Sequence, residues 1–323
     1  MKTILLTGAA GFIGSHVADL LVGRGDRVVG LDNLNDYYDP ARKRANLAEV
    51  AEVDEDDRFL FVRGDIRDRE LLAKLFFEHT FDSIVHLAAM AGVRNSVENP
   101  HLYYDVNLTG TLNLLEEAKK HDVQMVFAST SSAYGRTEQI PFIETDHADR
   151  PLAPYPASKR SAELLGHSYH HLHGVKFTAL RFFTVYGPRG RPDMMAYKVL
   201  DNIYTGRHVP LYNAGQMHRD WTYVTDIAQG IAAAVDHPCE YEVINLGRGE
   251  PILLADFVKM LEELAGQPSN LENRPMLAAD VAYTYASIDK ARELLSYDPK
   301  VTVEEGVKSF FDWYRQAVSS TQP

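Results

Sequence analysis

Tyr155 and Lys159 stand four residues apart in the stretch RPLAPYPASK. On a helix that spacing puts both side chains on one face. A lysine ammonium beside a tyrosine favours the phenolate and brings its pKa toward the working range of a general base. Taken alone, the pair is equally an ordinary helix-surface arrangement. Its surroundings argue for chemistry, because a serine- and threonine-rich segment, FASTSSAYG (127–135), ends an apolar run just upstream.

The elements that would position this pair begin at the N-terminus. In TILLTGAAGFIG (3–14), an apolar run from Ile4 to Leu6 meets Gly8, Gly11 and Gly14, and a helical pattern from His16 to Leu21 follows. Strand, glycine turn and helix in this order make a dinucleotide site. The glycines allow a tight turn, backbone approach to a pyrophosphate and close helix–strand packing, and the helix N-terminus faces the phosphate charge. Phe12 and Ile13 fall inside the turn. A second apolar run, Arg27 to Leu31, ends in Asp32, followed by Asn33, at the distance the fingerprint requires. Asp32 would accept from the adenosine ribose hydroxyls and repel a 2′-phosphate, favouring NAD over NADP; a plain strand-end turn residue is the alternative.

Composition sets the frame. The 323 residues are 45% hydrophobic and 24% charged, as for a globular α/β chain with a large and a smaller domain. With 33 Lys and Arg against 45 Asp and Glu, the formal net charge is −12, which disfavours nucleic acid and means that an anionic ligand needs local arginines. The single Cys239 excludes an intramolecular disulfide and a cysteine metal cluster. Neither a signal-peptide pattern nor an apolar run long enough for a bilayer is seen, so a cytoplasmic protein without a membrane partner is expected.

Strand signals near 3–7, 27–31, 58–63, 82–87, 123–128 and 175–181 alternate with helical patterns, among them 68–79, 100–121 and 154–173. This predicts a Rossmann-type, doubly wound parallel sheet. The charged segment 37–57 reads as a solvated insertion without chemistry. After strand three, Asp65 and Ile66 meet either an adenine or, for Asp65, the start of the next helix as its N-cap. Strand four ends in HLAAMAGVR (86–94), where Leu87, Ala88 and Ala89 let backbone pass close to a cofactor; His86 reads as a core histidine, and Arg94 is a substrate candidate. Past 181, glycine- and proline-punctuated stretches are candidate binding loops. A strand at Glu242–Leu246 returns to the main sheet, and helical patterns near 253–265 and 303–317 close the chain. The expected division is therefore interleaved: 1–181 with about 222–246 for the cofactor, 182–221 and 247–323 for the substrate.

TGAAGFIG, Asp32, HLAA, ASTSSAYG and YPASK, together and in this order, resemble the extended short-chain dehydrogenase/reductases of the nucleotide-sugar epimerase group. The resemblance covers essentially the whole chain. It implies an NAD reduced and reoxidised within each turnover, Tyr155 as base, Lys159 on the nicotinamide ribose, and Thr130 or its neighbours bridging to a sugar hydroxyl. The acidic pair that 4,6-dehydratases carry after this threonine is replaced by Ser131 and Ser132, so epimerisation is expected rather than dehydration. RFFTVYGPRGRPDMM (181–195) resembles the uronic acid 4-epimerases: the resemblance sets Arg191 against the C6 carboxylate and Thr184 where hexose epimerases usually have Asn. Arginines 189 and 191 as a solvated basic loop are the alternative. By analogy Ser131 and Ser132 supply hydroxyl donors to the same carboxylate.

The stretch GQMHRDWTYVTDI implies Arg219 on the diphosphate, with Asp280 further along the substrate segment. Leu277 stands where the family often has a phosphate-gripping residue, and Arg274 is the nearby candidate to compensate. The resemblance further implies a homodimer through the helices near 100–121 and 154–173. Histidines 167, 170 and 171 share a helix face without acidic or cysteine partners, and a solvated helix end is expected there rather than a metal site. The expected reaction is conversion of UDP-glucuronate to UDP-galacturonate through a 4-keto intermediate. UDP-glucose/UDP-galactose 4-epimerisation, UDP-glucuronate decarboxylation and non-catalytic NAD sensing are the alternatives.

Overall fold

A computed structural model of the chain describes residues 1–54 and 56–319. In chain order the elements are β1 (Thr3–Thr7), α1 (Phe12–Gly23), β2 (Arg27–Asp32), α2 (Pro40–Val53), β3 (Phe59–Arg63), α3 (Arg69–Glu78), β4 (Ser83–His86), α4 (Val93–Glu98), α5 (Pro100–Tyr104), α6 (Gly110–His121), β5 (Gln124–Thr130), α7 (Pro154–His173), β6 (Phe177–Phe182) and β7 (Thr184–Tyr186). Then follow α8 (Met195–Thr205), β8 (His208–Tyr212), β9 (His218–Tyr223), α9 (Val224–Asp236), β10 (Tyr241–Leu246), β11 (Pro251–Leu253), α10 (Leu254–Ala265), β12 (Asn270–Arg274), α11 (Asp289–Leu295) and α12 (Val303–Ser319).

Seven strands form one parallel sheet in the order β3–β2–β1–β4–β5–β6–β10. Its central strands are apolar runs buried on both faces, as a sheet covered by helices on two sides requires. Strand order reverses between β1 and β4, and in such sheets the crevice beyond the carboxyl ends at that point takes the ligand. His86 stitches this seam as a core residue: its Nδ1 lies 2.8 Å from Thr7 Oγ1 and its Nε2 3.0 Å from Thr111 Oγ1, and burial holds its pKa well below the usual histidine range.

A second core lies outside the sheet. Tyr186, Trp221, Phe257, Val307 and Phe310 pack together beside a mixed sheet of β11–β9–β7 and a parallel pair of β12 and β8. Trp221 stacks on Phe257 with ring centroids 3.7 Å apart.

One expected element is interrupted. The pattern at 100–121 reads as one helix, but a π-turn at Asp105–Thr109 separates α5 from α6. The turn brings Asn107 inward, where its side chain donates to Met90 O and Ser158 Oγ and accepts from Met90 N. It thereby ties the loop after β4 to α7. The turn takes in an extra residue, and no residue type in the run marks where it falls.

Candidate active site

The glycine turn is set by backbone crowding. Gly11 N donates to Gly8 O at 3.0 Å, and Gly8 N to Leu31 O at 2.7 Å. A Cβ on Gly14 would stand 2.0 Å from Gly8 O, and one on Gly8, whose φ is +74°, would meet Ala88 N at 2.7 Å. α1 starts at Phe12 with no side-chain cap on its first amides, leaving them for an anion.

Asp32 ends β2 at the rim of this turn. Burial pushes its carboxyl up, while the Lys43 charge and the amides of Leu34 and Ala10 oppose the shift. It also serves as the turn acceptor, since Oδ1 takes Leu34 N at 2.8 Å. Asp65 is held down to about 2, first by Arg67 and also by Asn33 Nδ2 at 2.9 Å. It does not cap the following helix: Asp68 does, accepting from Glu70 N and Leu71 N. Asp32, Asn33 and Asp65, with the turn glycines and Ile13, Ile66, Leu87, Ala88 and Ala89, line one cleft. A dinucleotide fits its donor set: unpaired helix amides for a pyrophosphate, a carboxylate for ribose hydroxyls, and the buried Tyr38 hydroxyl, which has no protein partner.

The segment after β2 was expected to carry no chemistry. The structure corrects this, because Tyr37, Tyr38 and Lys43 all line the cleft. Lys43 is buried and donates to Asn35 Oδ1 at 2.8 Å. Charged composition suggested solvent, but the chain folds these few side chains inward.

Tyr155 and Lys159 reach the same cleft from the first turns of α7, which opens with Pro154. Burial pushes the Tyr155 phenol up; the Thr130 hydroxyl and the Arg191 charge act the other way. Burial also lowers Lys159 to about 7, opposed by Glu163. Arg191 thus adds a second cation to the cleft that Tyr155 and Lys159 line. Lys159 Nζ lies 4.5 Å from the centre of the Phe127 ring. Glu163 anchors the helix through a buried pair with Arg181, at 3.0 and 2.8 Å, and a hydrogen bond from Ser129. Thr130 ends β5 and accepts from Ser132 N at 3.2 Å; Ser131 and Ser132 follow in a short 3-10 turn, half-buried.

Arg191 lies on the cleft wall, paired to Asp193 and with its Cζ 5.7 Å from the centre of the Tyr37 ring. Arg189 is not part of a solvated loop either. Its side chain bridges Asp19 and Glu49, each at 2.7 Å, fastening the loop to α1 and α2. Thr184 is not on the main cleft: it lines a neighbouring hollow with Phe12, Met194, Trp221 and Phe310, which Arg191 also borders.

A separate cationic group sits on the second core. Arg94 pairs with Asp280 at 3.3 Å and lies 4.0 Å over the Tyr212 ring. Burial lowers the pKa of Arg219, with Asp280 opposing and Arg94 reinforcing. Asp280 is paired with Arg94, whereas Arg219 donates to His218 O at 2.8 Å, so the group keeps local positive charge on an acidic protein. Leu277 packs on the second core, and Arg274 stands opposite Tyr212 in the β12–β8 pair, bonded to Glu272 at 2.9 Å. The histidines of α7 lie elsewhere: His167 meets Tyr241 edge-on at 4.9 Å.

Comparison with known proteins agrees with this geometry. The chain is 43% identical over 320 residues to a UDP-glucuronate 4-epimerase of Thermodesulfobacterium geofontis, covering 98% of both chains. It superposes with a TM-score of 0.89 on the UDP-glucuronic acid 4-epimerase of Bacillus cereus in complex with UDP-glucuronic acid and NAD, at 33% identity over 98% of this chain and 99% of that one. A dTDP-glucose 4,6-dehydratase from Streptomyces venezuelae with NAD bound superposes equally well, with a TM-score of 0.90 at 30% identity over 98% of both chains. Fold similarity alone therefore does not choose the reaction. The NAD dependent epimerase/dehydratase family profile matches residues 4–247, and the chain belongs to that family.

Proposed function

We propose that the protein catalyses 4-epimerisation of a UDP-uronic acid, interconverting UDP-glucuronate and UDP-galacturonate with a retained NAD. The observation that carries this reading is Arg191, a carboxylate-binding fork on the same cleft wall as Tyr155. NAD, when bound, accepts the C4 hydride and returns it to the opposite face of the 4-keto sugar. Gly8, Gly11, Phe12, Ile13 and Gly14 hold its pyrophosphate, Asp32 and Asn33 its adenosine ribose, Asp65 and Ile66 its adenine; Leu87, Ala88 and Ala89 give it backbone room. Tyr155 takes the proton from the sugar 4-hydroxyl and gives it back. Thr130 bridges to that hydroxyl and favours the phenolate, as does the Arg191 charge. Lys159 holds the nicotinamide ribose.

At C6, Arg191 holds the carboxylate and Ser131 and Ser132 supply hydroxyl donors, while Thr184 lines the neighbouring hollow that Arg191 also borders. The serines leave expulsion of a 6-hydroxyl without an acid–base pair, which argues against dehydration. Arg94 and Arg219, balanced by Asp280, hold the diphosphate. Residues 1–181 with about 222–246 form the cofactor half, and 182–221 with 247–323 the sugar half; 320–323 lie outside the described residues. We further propose a cytoplasmic homodimer joined through α5, α6 and α7, a surface that exposes Leu102, Tyr104 and Leu164. Among the described residues, no helix is long and apolar enough to cross a membrane.

Incubation with UDP-glucuronate without added NAD, followed by anion-exchange chromatography, tests the reading. UDP-galacturonate is the expected product, and Tyr155→Phe should retain NAD while turnover falls by roughly 10²–10⁴-fold. Absence of uronate turnover even with NAD supplied, with activity on UDP-glucose instead, would move the assignment to a neutral hexose.

A further inference from the structure

A guanidinium has two edges that can each bind a carboxylate through a pair of parallel hydrogen bonds. In Arg191 one edge is taken. Nε donates to Asp193 Oδ1 and Nη2 to Asp193 Oδ2, both at 2.9 Å. Nη1 has no hydrogen-bond partner among the described residues, so the second edge, Nη1 with the outer proton of Nη2, stays free.

Asp193 is itself held. The Tyr37 hydroxyl donates to Asp193 Oδ2 at 3.2 Å, and Asn95 Nδ2 donates to the Tyr37 oxygen at 2.9 Å. Asn95, Tyr37 and Asp193 come from α4, the segment after β2 and the loop after β7, and the chain they form ends on Arg191. Two hydrogen bonds to one carboxylate fix the plane of the guanidinium, which a single ion pair would leave free to swing.

That plane has a chemical consequence in a 4-keto uronic acid. Its C5–C6 bond breaks readily when it lies parallel to the C4 carbonyl π system: the electron pair becomes the enolate of C4 and C5, CO2 leaves, and C5 takes a proton from water. A carboxylate gripped by a fork of fixed orientation can be kept out of that alignment. We propose that Asp193 is the positioning residue that sets the Arg191 fork, supported by Tyr37 and Asn95, and thereby protects the keto acid from decarboxylation. The assignment rests on Arg191 facing the C6 carboxylate, as in the proposed function.

The test follows both products of UDP-glucuronate, the epimer and the CO2-depleted pentose, together with absorbance of reduced nicotinamide left behind when a keto-pentose escapes. Asp193→Asn, similar in shape but weaker as an acceptor, should raise the decarboxylated share roughly tenfold and raise KM more than it lowers kcat. Tyr37→Phe and the exposed Asn95→Ala should shift the share in the same direction by roughly two- to threefold, and they stand in if Asp193→Asn fails to fold. An unchanged product ratio in a folded Asp193→Asn, despite wild-type epimerisation, would overturn the assignment. A lowered KM in that variant would do so too, because it would make Asp193 a competitor for the fork. Failure of the wild type to turn over the uronate would instead overturn the proposed function.

Discussion

The glycine turn and the regions beyond the cleft are held by different forces. At the turn, main chain crowds main chain: Gly8, Gly11 and Gly14 are glycines because another backbone occupies the space a side chain would need. Around the loop that carries Arg191 and on the second core, charged side chains reach across the molecule. Arg189 meets Glu49 at a sequence separation of 140 and Asp19 at 170, and Arg94 meets Asp280 at 186. Crowding tolerates almost no substitution but is local; charge pairing is distributed and can be loosened one contact at a time.

The sharpest way to break the comparison is Gly14→Ala. Its Cβ would stand 2.0 Å from Gly8 O and 2.8 Å from Gly8 C, both backbone atoms that cannot rotate away. Opening the turn costs roughly 1–3 kcal/mol, as for overpacked cores. If that cost falls on the dinucleotide, NAD affinity drops roughly ten- to hundredfold. Titration of NAD into the purified variant reads this directly. Unchanged affinity would mean that the turn deforms freely and that crowding is not what shapes it.

The same contrast explains what could be read from the sequence. Glycine spacing, the strand-ending Asp32 and the β–α alternation are local signals, and the sheet, its order-reversal point and the glycine turn follow from them. Tyr155 and Lys159 were visible because one helix carries both. The charge that Arg191 adds beside Tyr155 was not, since Arg191 sits 36 positions away on a loop and its approach depends on how that loop is fastened. Tyr37 and Lys43 were hidden by a charged neighbourhood that looked solvated. Asn107 was hidden by a π-turn that no residue type in the run marks. Glu163 and Arg181 each look like surface residues until the fold buries them as a pair, with Ser129 as third partner.

A more moderate perturbation acts on the loop itself. Removing charge from both partners of Arg189, in Asp19→Asn with Glu49→Gln, leaves a guanidinium whose side chain is 8% exposed without a counter-ion. Glu49 is 43% exposed and contributes the lesser part, so the combined cost is on the order of 1–3 kcal/mol. The loop that carries Arg191 should loosen, raising KM for the UDP-uronate roughly five- to tenfold while NAD affinity holds. Parallel NAD titration and uronate kinetics separate the two regions. A matching loss of both would show that α1 transmits the disturbance to the glycine turn and that the two regions are one mechanical unit.

The smallest effect comes from the residue that touches both regions. His16 lies on α1, just past the glycine turn, and its Nε2 is 3.0 Å from Pro188 O in the sugar-side loop. Burial lowers its pKa to about 4, the Arg189 charge adds to the lowering, and the Pro188 carbonyl opposes it. Between its ordinary value of 6.5 and about 4, the unfolded chain binds a proton that the native state refuses. Stability therefore rises with pH across this window and is lost as pH falls through it. At about 1.4 kcal/mol per unit, His16 should account for at most about 2 kcal/mol of the loss between neutrality and pH 5. Denaturant unfolding at both pH values, in the wild type and in His16→Gln, isolates that share, because glutamine keeps an N–H donor for Pro188 but does not titrate. The variant should lose less stability on acidification. Equal losses would remove His16 as the pH-sensitive joint and leave the Arg189 ion pairs as the connection between loop and helix.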